Sequence, residues 1–266
     1  MKIPIFQVDA FASKGFRGNP AAVCLLEEWL NEDLMQAIAN ENNLSETAFI
    51  VHKRDGFEIR WFTPTTEVAL CGHATLASAF VVFHHTSWKK DKIRFYTRKK
   101  GELVVSRTGN RRLTMDFPSQ PATVITPQKE LSDALGVCVK EVLRSSEDLL
   151  VVVDNEEMVR NSAPNWMKLN EIECRGCILT SKGNDCDFVS RFFAPRVGVL
   201  EDPVTGSAHT VLVPYWANEL RKNTLHAFQL SKRGGELWCN QAGDRVYITG
   251  DAVLYMQGTL FLNQEA

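Results

Sequence analysis

Apolar and polar positions alternate in MKIPIFQVDAF at the start of the chain, in FEIRWF (57–62), and again in FVSRFF (188–193). That period of two is expected of half-buried strands. KIRFYT (92–97), ELVVSRT (102–108) and RRLTMDF (111–117) continue as a meander with glycine turns. Two stretches have almost no polar face: ATLASAFVVFHH (74–85) and AHTVLVPYWANELRK (208–222), each entered directly from Gly72 or Gly206. A helix that is apolar nearly all round belongs at the centre of its lobe. NEDLMQAIANENN (31–43) is amphipathic, with Asn31 as its N-cap. TPQKELSDALG (126–136) has Thr126 capping, Pro127 in the first turn and Gly136 as the stop. These signals predict an α+β protein of two lobes, each a mixed sheet wrapped round a central helix. DFPSQPATVITP (116–127) reads as the linker, which places one lobe at 1–118 and the other at 119–254. The C-terminal segment 255–266 is a candidate to rejoin the first lobe.

An internal repeat supports the two lobes. FEIRWFTP (57–64) and FVSRFFAP (188–195) share F-x-x-R-aromatic-F-x-P at an offset of 131. Gly72 matches Gly206, the GEL at Gly101 matches the GEL at Gly235, and Gly109 with Arg111 matches Gly243 with Arg245, each at 134. Three residues are therefore inserted within RVGVLEDPVT. One such step without low complexity indicates two similar domains rather than a solenoid.

Composition narrows the function. The 266 residues are 44% hydrophobic and 23% charged, which suits a globular protein with a sizeable core. A net charge of −2 excludes a nucleic-acid footprint, which needs a clustered positive surface; TRKK (97–100) and the KR at 232–233 are short and adjoin turn glycines. No apolar run approaches the roughly 18 residues of a membrane span, and the N-terminus has no apolar signal core. A cytoplasmic location without membrane association is the expectation. Seven scattered cysteines fit a reducing compartment. Cys174 and Cys177 form a lone C-x-x-C without a matching second knuckle, so buried thiols in a strand are preferred to a metal or redox pair.

The candidate chemistry lies at the two helix starts, CGHAT (71–75) and TGSAHT (205–210). Free N–H groups and the helix dipole favour a carboxylate or phosphate there, and Gly72 and Gly206 allow close approach. If a pseudo-twofold relates the lobes, both starts face one cleft and grip one anionic substrate. Two capped helices with nothing bound are the plain alternative. The offsets pair Glu46 with Cys177, Cys71 with Thr205 and His73 with Ser207, and leave Asp202 in the insertion without a counterpart. A site on the pseudo-axis would be asymmetric. Glu46 precedes the apolar TAFIV, which invites partial burial and suits acid–base work. His73 opens a helix whose dipole opposes protonation, so a neutral imidazole is expected. Asp202 beside Glu201 suits a shared proton or an Asx-turn. Ser207 is a hydroxyl donor or a cap, and Asn19 in GNP is a pocket amide or a turn residue.

FRGNPAAV (16–23), NLSETAF (43–49), FTP with CGHATLA (62–77), FAP with EDPVTGSAH (193–209) and RGGEL (233–237) together resemble the phenazine-biosynthesis PhzF-like family, in order over nearly the whole chain. The resemblance implies the diaminopimelate-epimerase-like fold, with a site in the cleft between two lobes. It implies a cofactor-independent isomerase, commonly a homodimer, acting on a small carboxylate. In that scheme Glu46 carries the proton, and His73, Asp202 and Ser207 assist; Asn19 in its turn and Gly72 and Gly206 at the helix starts are the substrate-binding candidates beside them. An amino-acid racemase-like or epimerase-like enzyme, or a non-enzymatic anion-binding scaffold of the same fold, remains open. A two-thiol racemase lacks its second cysteine at Thr205. A serine hydrolase fails because Ser207 and His209 sit about 200° apart on one helix and no G-x-S-x-G is present. A zinc hydrolase recruiting His73, His209 and Asp202 lacks H-E-x-x-H spacing. Neither a G-x-G-x-x-G after a strand nor a Walker loop occurs, so no nucleotide and no metal is expected.

Overall fold

The chain divides into two compact units, Met1–Asp116 with Thr249–Ala266, and Phe117–Ile248. A computed structural model describes residues 1–53, 55–126 and 129–262; the expected first-turn Pro127 lies outside them. The first unit contains β1 (Lys2–Ala10), β2 (Asn19–Leu26), α1 (Glu32–Asn42), β3 (Glu46–Lys53), β4 (Gly56–Phe62), β5 (Glu67–Val68), α2 (Gly72–His85), β6 (Lys92–Tyr96), β7 (Glu102–Arg107) and most of β8 (Arg112–Pro118). The second holds β9 (Thr123–Ile125), α3 (Lys129–Leu135), β10 (Glu141–Arg144), β11 (Asp148–Val152), α4 (Glu156–Asn161), α5 (Trp166–Glu171), β12 (Gly176–Lys182), β13 (Phe188–Ala194), a 3-10 turn (Pro195–Val197), β14 (Val199–Asp202), α6 (Gly206–Leu220), β15 (Thr224–Gln229) and β16 (Gly235–Ala242). β17 (Arg245–Phe261) begins in the second unit and ends in the first.

In the first unit, hydrogen bonding runs from β17 through β1, β2, β3, β4, β6, β7 and β8 and back to β17, closing an eight-stranded barrel. The β2–β3 and β4–β6 pairs are parallel and β1–β2, β3–β4 and β6–β7 antiparallel, so the sheet is mixed. All residues of α2 from Gly72 to Phe83 are buried, against β1, β2 and β3. This is where a helix without a polar face has to go. Its hydroxyls cannot reach water: Thr75 Oγ1 donates to the Cys71 carbonyl at 2.5 Å and Ser78 Oγ to that of Ala74 at 2.7 Å. α1 covers the barrel's other face, burying Met35, Ile38 and Ala39 in a cluster with Phe49 and Phe62. Asn31 caps it as expected, accepting from the Asp33 N–H.

The second unit repeats the scheme with the order β9–β10–β11–β12–β13–β15–β16 and parallel pairs at β11–β12 and β13–β15. α6 packs on β11, β15 and β16. Pro214 lies inside α6 and has no N–H for the Thr210 carbonyl; the Gln120 N–H takes that acceptor at 2.9 Å, so the helix continues. The fold is thus α+β, with a barrel-like mixed sheet and a central helix in each unit. Within the proline-rich linker, Thr123–Ile125 forms a strand paired with β10, which the sequence does not suggest. The six-residue helices α4 and α5 escaped the periodicity reading, being too short to show a period; Asn155 and Asn165 cap them. Among the described residues no helix is long and apolar enough to cross a membrane.

Candidate active site

The repeated arginine sets the two halves in register. Arg60 on β4 makes a two-pronged ion pair with Glu67 at 2.7 and 2.8 Å, and Arg191 on β13 makes the same pair with Glu201 at 2.7 and 3.0 Å. Trp61 pairs with Val68, and its match Phe192 pairs with Asp202. Asp202 therefore does have a counterpart, Val68. The three extra residues fall earlier than expected, at the 3-10 turn closed by Gly198 in the left-handed conformation (φ 83°). A second correction follows from the other edge. Arg60 lies opposite Phe49 and Arg191 opposite Leu179, so three residues back along each strand Glu46 is level with Gly176, one short of Cys177. A Cβ at Gly176 would come within 2.2 Å of the Phe192 ring, so that place cannot hold a second carboxylate.

In the first unit, β3 delivers Glu46, half-buried, and the start of α2 delivers His73, 5% exposed. His73 Nε2 stands 3.1 Å from Glu46 Oε2, yet neither atom makes a hydrogen bond. The two are close without being aligned. Across the ring, Nδ1 is 3.1 Å from Asn19 Nδ2 and 3.5 Å from Cys71 Sγ. With the amide donating, Nδ1 accepts and the ring proton sits on the Glu46 side; the turned amide would accept instead, so Asn19 can serve either form. Burial presses the imidazole toward neutrality, but the neighbouring Cys71 and Glu46 side chains outweigh it and hold the His73 pKa well above the usual value. Burial also pushes the Cys71 thiol up to about 11, so near neutral pH Glu46 is the group that sustains the imidazolium. The direction is opposite to the neutral imidazole expected from the helix start, because the Glu46 carboxylate stands 3.1 Å from the ring while the helix end carries about half a charge.

In the second unit, Thr205 precedes α6 as Cys71 precedes α2, and neither helix start has a side-chain cap. Asp202 Oδ2 accepts from Thr205 Oγ1 at 2.5 Å. Gln229, fully buried, donates to the Asp202 carbonyl and accepts from the Thr205 N–H, both at 2.9 Å, which clamps the turn between them. Arg175 grips both oxygens of buried Asp148, and its Nη2 reaches Ser207 Oγ at 3.3 Å. The Arg175 side chain is 34% exposed, and its cation stands beside the uncapped start of α6. His209 faces elsewhere: Nδ1 donates to the Thr205 carbonyl at 2.8 Å, and burial lowers its pKa to about 4. Ser207 is thus bonded to Arg175 and not to His209, and no serine–histidine dyad exists.

The structure brings Asn19, Glu46, Gly72 and His73 together in one unit, and Asp202, Gly206 and Ser207 in the other. Arg175, Asp148 and Gln229 were missed. Arg175 lies inside ECRGC between two thiols, which carry no sign of its partner; the acidic residue opening the apolar DLLVV is the signal for Asp148. Cys177 is buried and Cys174 packs against the same apolar cluster, with burial holding both thiols protonated. Among the described residues, Glu46, Cys71 and His73 bring an oxygen, a sulfur and a nitrogen within 4.8 Å of one another, a set able to hold a metal ion.

An uncharacterized isomerase of Pseudomonas aeruginosa is 52% identical to this chain, covering 98% of it and 100% of the relative. The crystal structure of a PhzF-family phenazine biosynthesis protein from Enterococcus faecalis is 44% identical, with a TM-score of 0.96 over 98% of this chain and 100% of that one. A predicted epimerase of Pseudomonas aeruginosa shares the fold alone, at 20% identity and a TM-score of 0.77 over 98% of this chain and 100% of that one. The family described as phenazine biosynthesis-like protein matches residues 8–258, and the chain belongs to it.

Proposed function

We propose that the chain is a cofactor-independent isomerase that shifts a proton between two carbons of a small, cyclic carboxylic acid. The observation that carries this reading is the Glu46–His73 pair: a buried carboxylate oxygen and imidazole nitrogen, 3.1 Å apart and neither hydrogen-bonded. Unsatisfied buried polar atoms are costly and mark sites that find their partners elsewhere. Glu46 takes the proton from one carbon, exchanges its carboxyl proton with solvent, and delivers a proton to another carbon, so the product is an isomer and no co-reactant is consumed. His73, held as imidazolium, stabilises the negative charge that develops between the two steps. Arg175, Ser207 and the start of α6 at Gly206 suit the substrate carboxylate, and Asp202 orients it. We assign both half-sites to one substrate. Relatives named as isomerases support the class of reaction. The same reading carries a cytoplasmic homodimer, which sedimentation of the purified chain checks.

The test is solvent-deuterium wash-in over a panel of small cyclic carboxylic acids, followed by Glu46→Gln on any acid that exchanges. The glutamine keeps the volume and removes the basic oxygen, and exchange should fall by about 10³-fold or more with folding retained. A variant exchanging at the normal rate would transfer the base to another residue, and a full panel without exchange would favour a binding protein.

A further inference from the structure

The thiol of Cys71 has no part in the proton transfer, yet it stands in the site with two other metal-ligating groups. Cys71 immediately precedes α2, His73 is the helix's second residue, and Glu46 opens the neighbouring strand. The two imidazole nitrogens face different partners, Nδ1 toward the sulfur at 3.5 Å and Nε2 toward the carboxylate at 3.1 Å. Even so, one ligand atom from each of the three residues lies within 4.8 Å of the other two, so the set converges at one place. Glu46 Oε2 and His73 Nε2 are buried and make no hydrogen bond, so Oε2 has lone pairs for a further occupant and Nε2 gains one when it gives up its proton.

We propose that Glu46, Cys71 and His73 form a binding site for a zinc-like divalent cation, and that the bound ion inhibits the enzyme. Sulfur, imidazole and carboxylate together select a borderline-soft ion over magnesium or calcium, and three protein ligands leave a fourth position for water. Tetrahedral zinc places its ligands about 3.3–3.8 Å apart, so side-chain adjustments of about 1 Å close the site. Binding displaces the Cys71 thiol proton to the buffer, and a second proton when His73 enters as imidazolium; no electron moves. The inhibitory half of the proposal rests on the reading above, because coordination removes the lone pairs by which Glu46 takes its proton. The binding half does not depend on it.

Cobalt is the probe, because cobalt bound to thiolate absorbs in the near ultraviolet and a tetrahedral cobalt site absorbs in the visible, whether or not a substrate is known. The full chain, stripped with chelator, is titrated with cobalt. One equivalent per chain should develop both absorptions, and zinc should abolish them. Cys71→Ser and Cys71→Ala, each checked for the native circular dichroism spectrum, should lose the near-ultraviolet band. Losing a residue that only hydrogen-bonds to a ligand weakens metal sites about 10–100-fold, so loss of this ligand should weaken cobalt binding by at least about 100-fold. Absence of a thiolate band up to millimolar cobalt overturns the site. So does a band that survives in both variants, which would place the ion on another of the seven cysteines. With an exchanging acid in hand, zinc should slow exchange and chelator restore it. Zinc that binds through Cys71 without slowing exchange would keep the site and remove its inhibitory role, whereas an unaffected Glu46→Gln would overturn the proton carrier alone.

Discussion

At the start of α2 a thiol precedes the first turn, an imidazole is the second residue, and a carboxylate reaches it from β3; at the start of α6 the equivalent places hold Thr205, Ser207 and Gly176. The backbone is repeated and the chemistry is not. Where the second unit carries Asp202, the first carries Val68, and where the second carries Arg175, the first carries Ser45. The buried Asp148 that holds Arg175 lies beside Gly176, as Ala21 lies beside Glu46. The duplication therefore kept what supports a helix start, including the paired Arg60–Glu67 and Arg191–Glu201, and divided the reactive groups. On the function proposed above, one unit holds the groups that move a proton and the other the groups that hold an anion.

The largest effect should come from breaking the first half. His73→Gln should lower kcat by about 10²- to 10⁴-fold, while Ser207→Ala, its repeat partner, should act mainly on KM. The pH profile sharpens the contrast. Because the His73 pKa is raised, the imidazolium persists above the ordinary histidine range, and the alkaline limb of the rate should disappear in the glutamine variant. Equal losses of kcat from both substitutions would mean the roles are shared. A smaller effect is expected at Arg175→Lys, which keeps a charge for Asp148 but gives up the planar fork. KM for a carboxylate substrate should rise about tenfold with kcat nearly unchanged. A fall in kcat alone would place Arg175 in the chemical step.

Much of this division was legible in the sequence, and the exceptions are physical. Periodicity located both central helices because a segment without a polar face has one place to go, and F-x-x-R-aromatic-F-x-P marked the repeat. The offset alone could not locate the insertion, because nothing in RVGVLEDPVT shows which residues pair across strands. Only the registers of β13 with β14 and of β12 with β13 matched Asp202 to Val68 and Glu46 to Gly176. Charge states were also illegible. The helix dipole at His73 is a local fact, while Glu46 arrives from 27 residues earlier and reverses the outcome. Arg175 and Asp148 meet for the same reason, through the parallel pairing of β11 with β12.

The two central helices should also differ in how their buried histidines respond to pH. His73 has a raised pKa in the folded chain, so its contribution is present in full below the unfolded value of about 6.5 and is lost as pH rises through the folded value. His209 is the reverse. Its folded pKa of about 4 lies below the unfolded value, so its contribution is complete above pH of about 6.5 and is lost as pH falls toward about 4. That loss is on the order of 3 kcal/mol. His209→Asn keeps a donor for the Thr205 carbonyl and removes the titration, so urea midpoints at pH 7 and pH 4.5 should converge in the variant. An unchanged acid limb would assign it to carboxylates.

The smallest contrast concerns the repeated arginine pairs, which look equivalent but have different reserves. Arg60 has two carboxylates, Glu67 and Glu32, the second at 2.7 Å, and it also lies over the rings of Trp29 and Phe62. Arg191 has Glu201 as its one carboxylate among the described residues; its other Nη1 contacts are the carbonyls of Val159, Arg160 and Ser162. Both arginine side chains are largely buried, at 8% and 12% exposed, so losing the last counter-charge matters more than losing one of two. Glu201→Gln should therefore destabilise the chain by about 2 kcal/mol, within the range for a hydrogen bond to a charged group. Glu67→Gln leaves Arg60 paired with Glu32 and should cost about half as much. Urea denaturation of the two variants at pH 7 measures the difference. It also separates two explanations of the repeated motif: if Glu67→Gln costs as much as Glu201→Gln, the position of the carboxylate on the strand matters more than neutralising the arginine, and the repeated pair sets geometry first and charge second.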